Sequence, residues 1–326
     1  MQLESLRDKA RGSLLGAAIG DAMGAPCEGM SAQAIREQYG VITDFLTDEI
    51  SGTDDTDFTL FNAHILQTYG VKVTSEQIEY EWRDKLLSGK YYYRPGGFSD
   101  VISTRNLEAG LQPPQSGAFN HQMWSDGVAM AISAAGIACP GDPAQAAQVA
   151  HKLGSISNAR DGIYTAQAVA AAISMAMVDA TPADMVEAAI ANVPQDSWTY
   201  RAMLRAQQVA KDAADLEEAL ILADEQLVVH YWPWADLTTE AVPVAFAVFL
   251  AAQGEFVKAV PAGVRIGRDA DTISALVGAI LGALHGTAVI PPAWIEKVDQ
   301  PAGVCLHFAA EKSMQSLAVQ LVDLIS

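Results

Sequence analysis

Apolar residues recur at helical spacing along most of the chain and strand-like alternation is sparse, so the pattern predicts an all-α protein. Residues 4 to 19 open it as a helix, which the punctuated run Gly20-Asp21-Ala22-Met23-Gly24-Ala25-Pro26 is expected to stop. A short helix over 31–40, capped by Ser31, precedes a loop from 41 to 51. Two amphipathic helices are predicted at 57–69 and 75–87, the second opened by Ser75-Glu76-Gln77-Ile78. Residues 88 to 125 read as loop-rich, with Tyr91, Tyr92 and Tyr93 in succession and one helix over 104–111. Loops of that length in a compact protein are usually functional or disordered, and the aromatics favour function. Beyond Gly127 helices dominate, over 127–137, 143–154, 161–180, 182–191, 197–210, 215–227, 239–252 and 254–263. Pro143, Pro182 and Pro243 are placed in or near first turns, where a missing N–H costs nothing.

The segment 273–290 is almost uncharged and carries Gly278, Gly282 and Gly286 at four-residue spacing. In a bilayer such spacing favours helix dimerisation. Asp271 at its start, His285 within it and the lack of a second apolar span of about 20 residues instead predict a buried central helix that its neighbours approach along the glycine stripe.

Composition sharpens this picture. Half of the 326 residues are apolar and only 18% are charged, as a large helical core requires, and no linker, composition shift or fixed repeat divides the chain. A single domain over 1–326 is expected. The net charge of −19 disfavours nucleic acid and anionic membrane as partners. An anionic substrate would need local cations, supplied by metal ions or by Arg265 and Arg268. Cys27, Cys139 and Cys305 lie far apart without a CxxC spacing, and the run from Leu14 to Ile19 is too short for a signal peptide, so a reducing cytoplasm is the expected compartment. The six histidines show no HxH or HExxH spacing and are assigned no metal.

Two oxygen-rich turns carry the candidate chemistry. Thr53-Asp54-Asp55-Thr56-Asp57 opens one predicted helix, and Asp269-Ala270-Asp271-Thr272 opens the glycine-striped one. Taken singly, each turn is explained as a helix cap, since Asp and Thr satisfy free N–H groups and meet the positive end of the dipole. Together they exceed what caps require, and uncompensated carboxylates repel one another. Carboxylates and hydroxyls are the ligands of hard cations, so the pair points to a binuclear metal site.

Four blocks in order resemble the signature segments of the ADP-ribosylglycohydrolase family: GDAMGAPCE (residues 20 to 28), TDDT (53 to 56), SDGVAMAIS (125 to 133) and GRDADTISALVGAILGALHG (267 to 286). The resemblance implies a compact orthogonal multi-helix bundle with two Mg²⁺ or Mn²⁺ ions on Thr53, Asp54, Asp55, Asp269, Asp271 and Thr272. Glu28 corresponds to the family's glutamate facing the metals, and either Glu28 or a metal-ligating carboxylate such as Asp55 is the candidate for activating water. Vicinal ribose hydroxyls suit chelation by hard cations, and carboxylates beside C1 suit an oxocarbenium-like transition state. The implied partner is an ADP-ribosylated protein or a small ADP-ribosyl or ribosyl compound. Expected substrate contacts are Asp100, Ser125, Asp126, Gly127 and Asn158, with the Asp126 and Gly127 N–H groups available to a phosphate. Many relatives carry an Arg where Ala131 stands, a Pro at Ala134 and a His at Asn158, which leaves the group beyond the ribose open. A nucleoside-type ribosyl hydrolase and a non-catalytic ADP-ribose-binding protein are the alternatives.

Overall fold

Four glycines at four-residue spacing, Gly12, Gly16, Gly20 and Gly24, form one face of the N-terminal helix Leu3–Gly24. A Cβ on Gly12 would lie 2.3 Å from the Gly282 carbonyl oxygen, and one on Gly16 would lie 2.2 Å from that of Gly278. Further along, a Cβ on Gly20 would lie 2.1 Å from the Ser274 oxygen and one on Gly24 2.4 Å from that of Ala270. As one number rises the other falls, so this helix runs antiparallel to Ala270–His285 with the two backbones touching. The stripe expected on the late helix is therefore matched by one on the first. The helix ends at Gly24, within the run expected to stop it, but passes through Gly20, which serves close approach rather than chain reversal.

The computed structural model describes residues 3–48 and 50–325, and those residues form helices and turns with no strand. Thr238–Ala251, Phe256–Ile266 and Asp161–Ala176 pack around the central pair, and Phe246, Phe249 and Phe256 lie fully buried there. Lys9 is buried in the first helix and donates to the carbonyls of Ala176 and Leu284, each at 2.8 Å. It closes the C-terminal ends of two helices, where a cation meets the negative end of the dipole. No helix among the described residues is long and apolar enough to cross a membrane.

Most predicted helices are present with shifted ends. The helix after the early turn begins at Asp54, because Thr53 caps it. Thr74 rather than Ser75 caps the next, in a reciprocal box with Gln77. Phe98–Glu108 replaces the predicted 104–111, and of 127–137 only Ser133–Ile137 is helical. Pro243 lies in the second turn of Thr238–Ala251, not the first. Pro292–Val298 and Met314–Asp323 went unpredicted; each is short, and the first of them buries only Trp294 and Val298.

Candidate active site

The early turn is held from behind. Asp21, fully buried in the first helix, accepts N–H groups from Thr53 at 2.8 Å and Thr56 at 3.0 Å, and also the Thr56 hydroxyl. Thr53 in turn accepts from the Asp55 N–H at 3.3 Å. Asp57 points the other way and accepts from the N–H groups of Cys305 and Leu306 at 2.8 and 2.9 Å, anchoring the segment that pairs with the tyrosine loop. The turn's extra carboxylate thus has a structural use.

The late turn is shaped by backbone in the left-handed region at Gly267 (φ 71°) and Arg268 (φ 57°). Arg268 is a costly residue for that conformation. It is secured by its ion pair with buried Glu240 at 2.7 Å and by two backbone bonds to the Glu28 loop: Gly29 N–H to the Arg268 carbonyl at 2.8 Å, and Arg268 N–H to the Met30 carbonyl at 2.7 Å. Those bonds fix Glu28 beside the late turn. The two turns meet where the Thr272 hydroxyl donates to Asp55 Oδ2 at 3.0 Å.

The resulting cleft contains about 380 Å³ of empty space, counting its open mouth. Asp54 and Asp55 line it from the early turn, Asp269 and Asp271 from the late one, and Glu28, Asp126 and Asp236 from three loops. No Lys, Arg or His lines it among the described residues. Burial, then the charges of Asp271 and Asp21, holds Asp55 well above the usual carboxylate range. Burial also raises Asp271, seconded by Asp269, and Asp269, seconded by Asp126. Asp126 is raised well above that range by burial and then by Asp236. Asp54 is pushed up to about 7 by burial and then by Asp100, and Asp236 to about 6 by burial and then by Glu28. Burial raises Glu28 as well, although its side chain reaches solvent at the mouth.

The donor set fits hard cations. Asp271 Oδ1, Asp126 Oδ2 and Asp236 Oδ1 are buried without a hydrogen-bond partner, an arrangement that costs free energy unless something positive stands opposite. Among the described residues no three Asp, Glu, His or Cys side chains already close around one point.

Of the expected metal ligands, Asp54, Asp55, Asp269, Asp271 and Thr272 line the cleft, while Thr53 sits just behind as the cap. Ser125, Asp126 and Gly127 also line it, but the Asp126 N–H donates to the Asp236 carbonyl at 3.2 Å and is not free for a phosphate. Gly127 lies against Ser99, where a Cβ would fall 2.0 Å from the hydroxyl Oγ and 3.0 Å from Cβ. Asn158 stands behind the wall and donates to the Ser125 carbonyl at 2.8 Å. Asp100 lies outside the cleft lining. Its carboxylate accepts from Tyr93 Oη (2.7 Å) and from the N–H groups of Gly96 (3.0 Å), Gly97 (2.9 Å) and Val101 (2.9 Å), which fills its acceptor sites. Asp100 shapes the loop that lies on Asp54, where a Cβ on Gly96 would meet Asp54 Cβ at 2.4 Å. The arginines proposed as local cations are engaged elsewhere, Arg265 by Glu217 and Arg268 by Glu240. Tyr91 packs edge-on against Phe308 with centroids 5.2 Å apart, so it anchors its loop as Tyr93 does.

Three residues that shape the cleft are not among those expected from sequence. Asp21 lies in the run that reads as a stop signal, although an aspartate among small apolar residues is itself a sign of a buried polar role. Asp236 sits in Trp232-Pro233-Trp234-Ala235-Asp236, where clustered aromatics beside an acid in a loop were the available cue. Phe98 lines the cleft and meets Trp234 edge-on at 6.3 Å, and Trp232 continues the strip at 5.4 Å from Trp234.

Comparison with known proteins agrees with this geometry. The family model described as ADP-ribosylglycohydrolase matches residues 2–325. An uncharacterized protein of Archaeoglobus fulgidus is 28% identical over 301 residues, 89% of this chain and 92% of its own. The uncharacterized protein YegU of Escherichia coli is 27% identical over 320 residues, 90% of this chain and 92% of its own. A solved structure described as an ADP-ribosylglycohydrolase-related protein complex superposes with a TM-score of 0.64 at 20% identity, covering 99% of this chain and 100% of the other, and so shares the fold.

Proposed function

The chain belongs to the ADP-ribosylglycohydrolase family, and from that premise we propose that it is a metal-dependent glycohydrolase cleaving the C1 bond of an ADP-ribosyl or related ribosyl group. The observation that carries the reading is the convergence of two acidic turns, joined by the Thr272–Asp55 hydrogen bond, on a cleft of buried carboxylates with unpartnered oxygens and no cation. Thr53, Asp54, Asp55, Asp269, Asp271 and Thr272 would hold two Mg²⁺ or Mn²⁺ ions. Bound there, the ions would supply chelation of the ribose 2- and 3-hydroxyls and acidify water.

The chain's own groups account for the remaining requirements. Glu28 stands at the mouth with its proton affinity raised, which suits a general base. It would take a proton from a water whose oxygen bonds to C1. The electron pair of the breaking C1–N or C1–O bond leaves with the aglycone, which regains a proton from Glu28 or from solvent. Asp126 and Asp236 line the same cleft and, once ionised, would stabilise the positive charge that builds at C1.

Incubation of the metal-loaded protein with ADP-ribosylated arginine, ADP-ribosylated serine, O-acetyl-ADP-ribose and a nucleoside panel tests the reading. Release of free ribose or ADP-ribose from at least one, abolished by Glu28→Gln, is the expected result. Survival of every substrate would leave a binding protein on the same fold.

A further inference from the structure

A second groove adjoins the loop that lies on Asp54 but shares no lining residue with the carboxylate cleft. It contains about 1200 Å³ of empty space, counting its open mouth, between the turn Arg83–Leu87, the tyrosine loop and the helix Phe98–Glu108. Leu86, Leu87, Tyr92, Tyr93, Pro95 and Val101 give it an apolar and aromatic wall, from which Tyr92 stands 67% exposed. The turn in that wall is π-helical, a form that recurs at functional sites.

The tyrosine loop brings an unpaired edge of extended chain to this groove. Tyr93 is bridged antiparallel to Leu306: the His307 N–H donates to the Tyr92 carbonyl at 3.0 Å, and the Arg94 N–H donates to the Cys305 carbonyl at 2.8 Å. That pattern leaves the pair Tyr93 and Leu306 without hydrogen bonds between them, so the Tyr93 N–H and C=O are turned away from the 305–307 segment. Neither finds a partner among the described residues. An edge of this kind accepts a further extended chain, main chain to main chain, and apolar pockets beside it take alternate side chains.

Charge narrows the partner. The chain carries a net −19, yet between Asp84 and Glu108 it has Lys85, Lys90, Arg94 and Arg105 against one acid, Asp100. Asp84 engages both lysines, and Asp100 is engaged by Tyr93 and three N–H groups. Arg105 lines the groove, where Glu108 is the one acid among the described residues, and Arg94 lies in the paired segment between Tyr93 and Pro95. Both arginines are exposed, and neither makes an ion pair among the described residues.

We propose that this groove docks an extended, acidic polypeptide segment, which adds to the free edge at Tyr93, seats alternate apolar side chains against Leu87, Tyr92 and Val101, and sets its carboxylates against Arg94 and Arg105. The groove ends where the cleft begins, since Pro95 lines the one and Gly96 and Gly97 line the other. Asp100 ties the two together by accepting from Tyr93 Oη and from the Gly96 and Gly97 N–H groups. A protein docked here presents a modified side chain to the carboxylate cleft. That use rests on the glycohydrolase reading, whereas the docking itself does not.

Fluorescence anisotropy of a short labelled peptide alternating valine and glutamate, titrated with the full chain loaded with Mn²⁺, tests the proposal. The wild type should bind it, and Arg94→Glu combined with Arg105→Glu should weaken binding roughly tenfold, as two exposed ion pairs turned to repulsion allow. A peptide alternating valine and lysine should show the reverse preference. Methylating alternate backbone nitrogens of the acidic peptide should abolish binding in one of the two registers and spare it in the other, because only one edge of the added chain pairs. No binding, equal binding by wild type and variant, or indifference to methylation in both registers overturns the proposal. Displacement of the peptide by ADP overturns it in favour of a nucleotide site, and displacement by ADP-ribose does so by placing the peptide in the cleft. Binding that meets every expectation stands even if no ADP-ribosyl or ribosyl substrate is hydrolysed, in which event only the glycohydrolase reading fails.

Discussion

The Thr272 hydroxyl donates to Asp55 Oδ2 at 3.0 Å and so joins two turns separated by 217 positions in sequence. Asp55 has the charges of Asp271, Asp21, Asp54 and Asp269 around it. Asp55→Ala should therefore separate folding from metal binding. Removing one of several repelling buried carboxylates leaves the metal-free melting temperature unchanged or raises it, while stabilisation by added Mn²⁺ and all turnover are lost. Calorimetric scans with and without Mn²⁺, together with metal analysis of the purified variant, check this. A variant that keeps full Mn²⁺ stabilisation would show that Asp55 is not a ligand.

The same charges set a pH dependence whose sign runs opposite to that of an ordinary salt-bridged carboxylate. Asp54 is pushed up to about 7 and Asp236 to about 6, above their values in the unfolded chain. Between about pH 4 and 7 the folded protein binds more protons than the unfolded one, so its stability falls as pH rises through that window. Metal ions compete for the same oxygens and need them deprotonated. The metal-free protein should be more stable at about pH 5 than at about pH 8, and Mg²⁺ or Mn²⁺ should raise the melting temperature more at the higher pH. Ligand at about 100 times its Kd contributes about 2.7 kcal/mol. Melting curves across pH with chelator or metal decide it, and an equal metal effect at both ends would sink the idea.

Much of this architecture was legible in sequence because it is written in local pattern. The all-α class follows from helical periodicity, and Asp54, Asp55, Asp269, Asp271 and Thr272 stood out as oxygen donors clustered at predicted helix starts. What stayed hidden depends on partners remote in the chain. Gly20 reads as a helix stop until Ser274 is seen against it, and Asp100 reads as a free acid until the N–H groups of Gly96, Gly97 and Val101 are seen on it. Arg265 and Arg268 read as available cations until Glu217 and Glu240 are placed. Asp236 carries no local signal of its target, since the loop's position across the cleft is set by pairing between Ser125 and Leu237.

Close contact of the glycine stripes predicts a sharp contrast between substitutions. In Gly16→Ala the new methyl would meet the Gly278 carbonyl at 2.2 Å, backbone against backbone with no side chain able to yield. Separating the helices should cost about 3 kcal/mol or more and also weaken metal stabilisation, since the same register carries Asp21 and Asp271. Gly70→Ala is the control. Gly70 has open space around it, but its φ of 68° and ψ of −173° lie where almost only glycine goes, so a backbone penalty of about 1–3 kcal/mol applies with no clash added. Denaturant melts of both variants, with and without Mn²⁺, should show the larger loss and the metal effect in Gly16→Ala alone.

Asp21 provides a test of positioning apart from ligation, because it lies behind the early turn and does not line the cleft. Its carboxylate accepts from the Thr53 and Thr56 N–H groups and from the Thr56 hydroxyl, so Asp21→Ala leaves those buried donors unpaired at about 1–3 kcal/mol each. The turn then loses the contact that aims Asp54 and Asp55. Asp21→Asn keeps the shape and one acceptor oxygen while losing the second, and should fall between. The expected signature is a graded loss of Mn²⁺ affinity, wild type over Asn over Ala, with kcat falling in the same order and the helical circular dichroism of the Asn variant intact. A purely structural residue would lower the melting temperature while leaving the Mn²⁺ dissociation constant of the folded protein unchanged. That outcome would remove Asp21 from the account of the site.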